Sequence, residues 1–200
     1  MSATVALIDY GAGNLHSVAN ALQTAGAAPT ITADPQMVRN ADRIVLPGVG
    51  AFGACARGLA AIPGMIEALE DVALARARPF LGICVGMQLM ARRGEELGGA
   101  DGLGWIDGTV RALSAGVARV PHMGWNDVAP SVPHPLIEPG EAYFLHGFAF
   151  DGEAVIATTD HAGPVTAAIG RDNLAGVQFH PEKSQRYGIA LLERFLEWRP

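Results

Sequence analysis

Pro79-Phe-Leu-Gly-Ile-Cys84-Val-Gly-Met-Gln-Leu-Met-Ala-Arg-Arg93 joins a short apolar run to a cysteine set between two glycines and then to a stretch of helix formers. The run Pro79–Ile83 shows no polar alternation, as expected of a strand buried on both faces of a sheet. Gly82-Ile83-Cys84-Val85-Gly86 has the G-x-nucleophile-x-G form, in which a sharp strand-to-helix turn lifts the central side chain clear of the sheet. Glycines two residues to either side relieve the crowding such a turn creates. A helix is predicted over Val85–Arg92, and a cysteine at its N-terminus is favoured as the thiolate that attacks a carbonyl. The Val85 N–H then points to where an oxyanion would form.

Working outward, Val5–Ile8 and Arg43–Leu46 repeat the unalternated apolar character, and the helical segments Asn14–Ala25 and Met65–Arg76 lie between such runs. Strands alternating with helices imply parallel pairing through crossovers, hence a three-layer α/β/α sandwich. From Gly104 the rhythm changes to the short strand candidates GWIDGTVRAL, EAYFLHGF, AVIATTD and TAAIG, separated by Gly- and Pro-rich turns. The central sheet is therefore expected to be mostly parallel but mixed. The chain closes with the strand of LAGVQFHPEKS and a helix from about Gln185 to Trp198. No repeat or linker interrupts it, and residues 1–200 read as one domain.

Bulk properties narrow the function. A net charge of −6 and no Lys/Arg cluster argue against nucleic acid. No apolar stretch approaches the roughly 20 residues of a membrane-spanning helix. The N-terminal residues show no basic leader before an apolar run, so a cytoplasmic protein is expected. In that compartment the two cysteines, Cys55 and Cys84, are expected to be free thiols. Cys55, in AFGACARGL, lacks the strand-turn-helix context and reads as packing.

A cysteine nucleophile needs a base. Of the six histidines, His180 ends the apolar strand GVQF and precedes Pro181, which bars helical continuation. That places its imidazole at the C-terminal edge of the sheet, where Cys84 lies if the strands are parallel. Glu182, two residues on, can accept the second imidazole N–H and fix the tautomer. Alone, Cys84 could be a small buried hydrophobe and H-P-E an ordinary surface turn; the pairing of the two supports a hydrolytic triad. Pro47-Gly48-Val49-Gly50 reads as a Gly-rich strand end, and with no G-K-[ST] following it is not a nucleotide P-loop.

LGICVGMQLM and GVQFHPEKS, together with LPGVGAFG, PHMGWN and DYGAGN, resemble the class I triad glutamine amidotransferases over essentially the whole chain. The last two motifs narrow this to the glutaminase-subunit family of imidazole glycerol phosphate synthase. The resemblance implies a flavodoxin-like fold and one glutamine amidotransferase type 1 domain. It implies a Cys84–His180–Glu182 triad that hydrolyses glutamine, with neither cofactor nor metal. Val49 and Val85 are then the oxyanion donors, and Gly48, Gln88, Glu96, Gly147 and Phe148 line the glutamine site. On residues alone, Gln88 could be a polar helix position and Glu96 a solvated loop charge.

The resemblance also implies a (β/α)₈-barrel cyclase subunit that receives the ammonia in a heterodimer. Asn14, His122, Met123, Trp125, Asn126, Tyr143 and Lys183 match docking-face positions, although Trp125 read alone could be core. One departure stands out. The family usually has a hydroxyl residue and then Tyr after the histidine of its Y-F-x-H strand, whereas here Gly147-Phe148 follows His146. Alternatives are another class I glutaminase, such as that of pyridoxal phosphate synthesis, a catalytically idle docking subunit, and a stand-alone cysteine hydrolase.

Overall fold

A computed structural model describes residues 3–114 and 119–200. The chain begins β1 (Val5–Ile8), α1 (Leu15–Thr24), β2 (Pro29–Thr32), α2 (Pro35–Asn40), β3 (Arg43–Gly48), α3 (Phe52–Ala60) and α4 (Met65–Glu70). It continues β4 (Phe80–Cys84), α5 (Val85–Gln88), β5 (Ala91–Gly94), β6 (Ala100–Asp101), β7 (Ile106–Ala112), β8 (His122–Pro130) and β9 (Gly140–His146). It ends β10 (Phe148–Gly152), β11 (Val155–Asp160), β12 (Pro164–Arg171), β13 (Leu174–Val177) and α6 (Gln185–Glu197).

Nine strands form the main sheet, in the order β2-β1-β3-β4-β13-β12-β11-β8-β9. From β2 to β13 neighbours run parallel, and from β13 to β9 they are antiparallel. Every residue of β1, β3, β4 and β13 is buried. Since successive side chains point to opposite faces, both faces of this region are covered by helices or loops. A smaller sheet, β10-β7-β5-β6, stands beside it. The α/β layers and the mixed sheet agree with the reading of the sequence.

Several elements differ from it. The helix predicted over Val85–Arg92 stops at Gln88, and Ala91–Gly94 becomes a strand beside β7. The Ile106 N–H binds the Met90 carbonyl at 3.0 Å, so a long-range ladder captures a segment whose side chains favour helix. EAYFLHGF is two strands, split at Gly147, with β9 in the large sheet and β10 in the small one. The helical stretch Met65–Arg76 is α4 followed by a wider turn over Asp71–Ala75. PHMGWN, read only as a docking motif, contributes His122–Asn126 to the first half of strand β8. Cys55 does have a strand and helix around it, being on α3 after β3, and its side chain is buried as packing requires. Among the described residues no helix is long and apolar enough to cross a membrane.

Candidate active site

β4 ends at Cys84, whose backbone takes φ 54° and ψ −114°. A non-glycine residue in that region is strained, and strain of this kind is kept where the surroundings enforce it. The two glycines are required by close approach. A Cβ on Gly82 would lie 2.7 Å from the Gly86 carbonyl oxygen, and one on Gly86 would lie 1.8 Å from the Leu46 oxygen. Gly82 thus lets the strand lie against the start of α5, and Gly86 lets the turn pack against β3. Val85 opens α5, where the first N–H groups of a helix have no intrahelical partner.

β13 runs parallel to β4, with Val177 opposite Ile83. Three residues beyond Val177 the chain reaches His180, on the same edge as Cys84. His180 Nδ1 lies 2.8 Å from Glu182 Oε1, and both side chains are almost wholly buried. Glu182 Oε2 is buried with no donor among the described residues, which concentrates the carboxylate's demand on His180. Burial pulls the imidazole pKa down, but hydrogen bonds with the Cys84 thiol and Glu182 outweigh it and raise it to about 9. The charged imidazolium is thus the favoured state beside Cys84.

The opposite edge of the cavity is β3. Tyr10 donates its hydroxyl to the Pro47 carbonyl at 2.7 Å, and the Cys55 thiol donates to the Val49 carbonyl at 3.3 Å. Burial pushes both groups up, so both remain protonated donors at neutral pH. The sequence offered no reason to link Cys55 with Val49. The link arises because α3 turns back beneath the loop that ends β3.

Cys84 and His180 open on a cavity of about 340 Å³ lined also by Val49, Gly50, Val85, Gln88, Glu96, Gly147, Phe148 and Lys183. A wider groove of about 610 Å³ between the end of α1 and α6 is lined by Glu138, Glu193, Glu197 and Arg194, without a nucleophile and base. The smaller cavity is the candidate site, a size suited to an amino acid. Gln88 is buried and spends its amide N–H groups on the Phe148 carbonyl and on Gln178 Oε1, each at 3.0 Å. One Glu96 oxygen accepts the Phe52 N–H at 2.7 Å, capping α3, while the carboxylate still borders the cavity. Gln88 is a polar helix position, the last residue of α5, but a buried one, and Glu96 is half-buried rather than a solvated loop charge. Gln178, which sequence reasoning missed, points its Nε2 at Cys84 Sγ from 3.7 Å. Its one signal was a single amide in an apolar run, two residues before His180 and so on the same face of an extended chain.

Beyond the cavity, β8 and β9 pair with Trp125 opposite Tyr143 and Met123 opposite Leu145. Alternation puts these side chains outward, leaving Met123 63% and Trp125 47% exposed. Lys183 Nζ stands 5.8 Å from the Tyr143 ring centroid, and Asn14 is exposed. His122 differs from the others: it is only 4% exposed, its ring stacked on Phe144 and His161. It faces inward, and Asn126 is what links it to the surface. No group of three or more metal-ligating side chains occurs among the described residues.

Residues 6–198 match the model of the family "Glutamine amidotransferase class-I". The chain is 59% identical over 208 residues to the imidazole glycerol phosphate synthase subunit HisH of Zymomonas mobilis, covering 100% of this chain and 98% of that protein. The HisH of Rhodospirillum rubrum is 53% identical, covering 98% of this chain and 99% of that protein. A solved glutamine amidotransferase superposes with a TM-score of 0.77 at 17% identity, over 96% of this chain and 97% of that one. That last likeness speaks to the fold alone.

Proposed function

The chain belongs to the class-I glutamine amidotransferases and, within them, to the HisH subunits of imidazole glycerol phosphate synthase, and from that premise we propose that Cys84, His180 and Glu182 carry its reaction. The activity is that of a glutaminase in histidine biosynthesis, releasing ammonia and glutamate from glutamine. The observation that carries the assignment of residues is the buried His180–Glu182 contact at 2.8 Å behind a strained cysteine.

Glu182 holds Nδ1–H, which leaves Nε2 for the thiol. With the imidazolium favoured, the thiol's proton already rests on His180, and the thiolate attacks the carboxamide carbon, placing negative charge on its oxygen. The Val85 and Val49 N–H groups are the donors for that oxyanion, Val49 depending on the orientation of the Gly48–Val49 peptide. His180 returns its proton to the amide nitrogen, the C–N bond breaks, and ammonia leaves a γ-glutamyl thioester. Water then loses a proton to His180, attacks the thioester carbon and releases glutamate, restoring the thiol.

Gly48, Gln88, Glu96 and the Gly147–Phe148 backbone hold the ends of glutamine. With its N–H groups engaged, Gln88 offers its carbonyl oxygen, and Glu96 its free carboxylate oxygen to the α-ammonium. Gly147 and Phe148 supply backbone groups only, so binding lacks two side-chain hydroxyls usual in this family. The whole chain acts as one amidotransferase domain in the cytoplasm. Its partner is a (β/α)₈-barrel cyclase in a heterodimer, seated over Met123, Trp125, Tyr143, Lys183 and Asn14, with His122 and Asn126 behind them. Support comes from the exposure of Met123 and Trp125 and from Lys183, which lines the cavity and stands 5.8 Å from the Tyr143 ring, so a partner seated on this patch would cover the ground beside the cavity.

Cys84→Ala is expected to abolish glutamine-dependent turnover of the complex, by on the order of 10⁴-fold or more, while turnover with added ammonia persists. Retained glutamine hydrolysis in that variant removes the triad from the reaction.

A further inference from the structure

Besides the triad, the nucleophile has two polar neighbours: the Leu145 carbonyl, 4.0 Å from the sulfur and an acceptor for the thiol only, and the amide of Gln178, which offers a donor. Gln178 is fully buried, and its Nε2 lies 3.7 Å from Cys84 Sγ. Gln178 cannot turn its amide over without losing a second contact, because its Oε1 accepts from Gln88 Nε2 at 3.0 Å. Gln88 is fixed in turn, since the same nitrogen donates to the Phe148 carbonyl at 3.0 Å. That carbonyl also receives His146 Nδ1 at 2.9 Å.

The tautomers of the remaining members follow from their partners. A carbonyl can only accept, so His146 carries its proton on Nδ1. Its Nε2 is then the acceptor for His122 Nδ1–H at 3.1 Å. His122 Nε2 accepts in turn from Asn126 Nδ2 at 3.1 Å. Asn126 is held the same way round by two further contacts: Nδ2 donates to the Asp160 carbonyl at 2.7 Å, and its oxygen accepts the Asp127 N–H at 2.9 Å. Every donor from Asn126 to the sulfur meets an acceptor, and both imidazoles are neutral in this arrangement.

We propose that Gln178 is a further catalytic residue that stabilises and aims the Cys84 thiolate through its amide N–H, and that Gln88, His146 and His122 are positioning residues that hold it. The inference rests on the assignment of Cys84 as nucleophile. Its physical basis is that an N–H aimed at sulfur in a dry site favours the anion over the neutral thiol and costs no reorganisation when the charge forms. A buried amide with one end on sulfur needs a partner for the other end, and Gln88 supplies it. The titratable groups facing the sulfur are His180, with Glu182 behind it, on one side and His146 on the other; Tyr10 and Cys55 lie beyond the end of β3.

The test uses the complex with the synthase partner, and reads kcat and KM for glutamine alongside the pH profile of Cys84 alkylation by iodoacetamide, resolved by peptide mass. Gln178→Met keeps the side-chain length but has no N–H. It should lower kcat roughly ten- to a hundredfold with little change in KM, and move the alkylation midpoint to higher pH. His146→Phe leaves Gln178 intact and should move the midpoint in the same direction by less. A Gln178→Met complex within twofold of the parent in kcat, with an unmoved alkylation profile, overturns the role of Gln178. An unmoved profile in His146→Phe overturns the supporting line. Glutamine hydrolysis surviving in Cys84→Ala would instead overturn the nucleophile assignment on which both stand.

Discussion

Two groups of buried histidines lie on either side of the same cavity and settle in opposite charge states. His180 is raised to about 9, whereas His122 and His146 are lowered to about 4. Desolvation acts downward on all three and is the largest single cause in each. What differs is the company. His180 has a carboxylate and a thiol, which both reward its proton. His122 has the neighbouring His161, and His146 has one backbone carbonyl and three other histidines. Burial therefore sets no protonation state by itself; the partner that burial enforces decides it. The charged histidine serves proton transfer, and the neutral pair serves as directional scaffolding.

The largest way to break this contrast is Glu182→Gln. It replaces the carboxylate with a neutral amide that can face Nδ1 with either its oxygen or its N–H, so the tautomer is no longer enforced and one cause of the raised pKa is lost; glutamine hydrolysis should fall by roughly 10²- to 10⁴-fold. The residual activity carries a second reading. Expulsion of ammonia needs protonated His180, so kcat/KM in the parent should decline as pH rises through about 9. In Glu182→Gln that limb should move to lower pH. An unmoved limb would assign it to another group.

Acid stability probes the other histidines. Their folded pKa values lie below the ordinary 6.5, so the unfolded chain binds protons first as pH falls. Stability is full above about 6.5 and should be lost progressively toward about 4. For His146 the loss is roughly 2–3 kcal/mol, read from urea midpoints across that window. His146→Phe should flatten this acid slope, while costing about 1–3 kcal/mol at neutral pH because His122 Nδ1–H loses its acceptor. The smallest and most direct check is NMR titration of the ring protons. His180 should titrate near 9, and His122 and His146 should stay neutral down to about 4.

The two regions also differ in how much of each could be read in advance. The Cys84 elbow was legible because its causes are local: an unalternated apolar strand, glycines at 82 and 86, and a helix-forming segment after it. His180 and Glu182 were legible for a similar reason, a strand end followed by Pro181. Their meeting with Cys84 needed only that β4 and β13 run parallel, which alternating strands and helices already implied. The outward side chain of Trp125 was open until β8 and β9 paired, because a strand whose register is unknown offers two faces. His122 looked like part of the same docking motif, yet its odd register with Trp125 sends it inside.

Length of element was the other failure. Leu89-Met-Ala-Arg-Arg93 has good helix formers, but β7 offers the backbone of this segment a ladder, and tertiary pairing outweighs a propensity of a few tenths of a kcal/mol per residue. Cys55 was read only as packing, and Gln178, a lone amide in an apolar run, was passed over, because nothing near either in the chain names the group it meets. Each acts on a residue that the fold brings close, the thiol on the Val49 carbonyl and the amide on the Cys84 sulfur.

The amino-acid sequence by itself determined the parallel α/β frame, the strained turn at Cys84 and the H-P-E turn, since these follow from side-chain period, backbone sterics and proline. The tertiary structure alone decided which polar atoms face one another inside the frame: the amide on the nucleophile, the tautomers of His122 and His146, and the charge on His180. A hydrogen bond depends on tenths of an ångström between residues as far apart as 94 in the chain, and only the packed fold sets distances that finely.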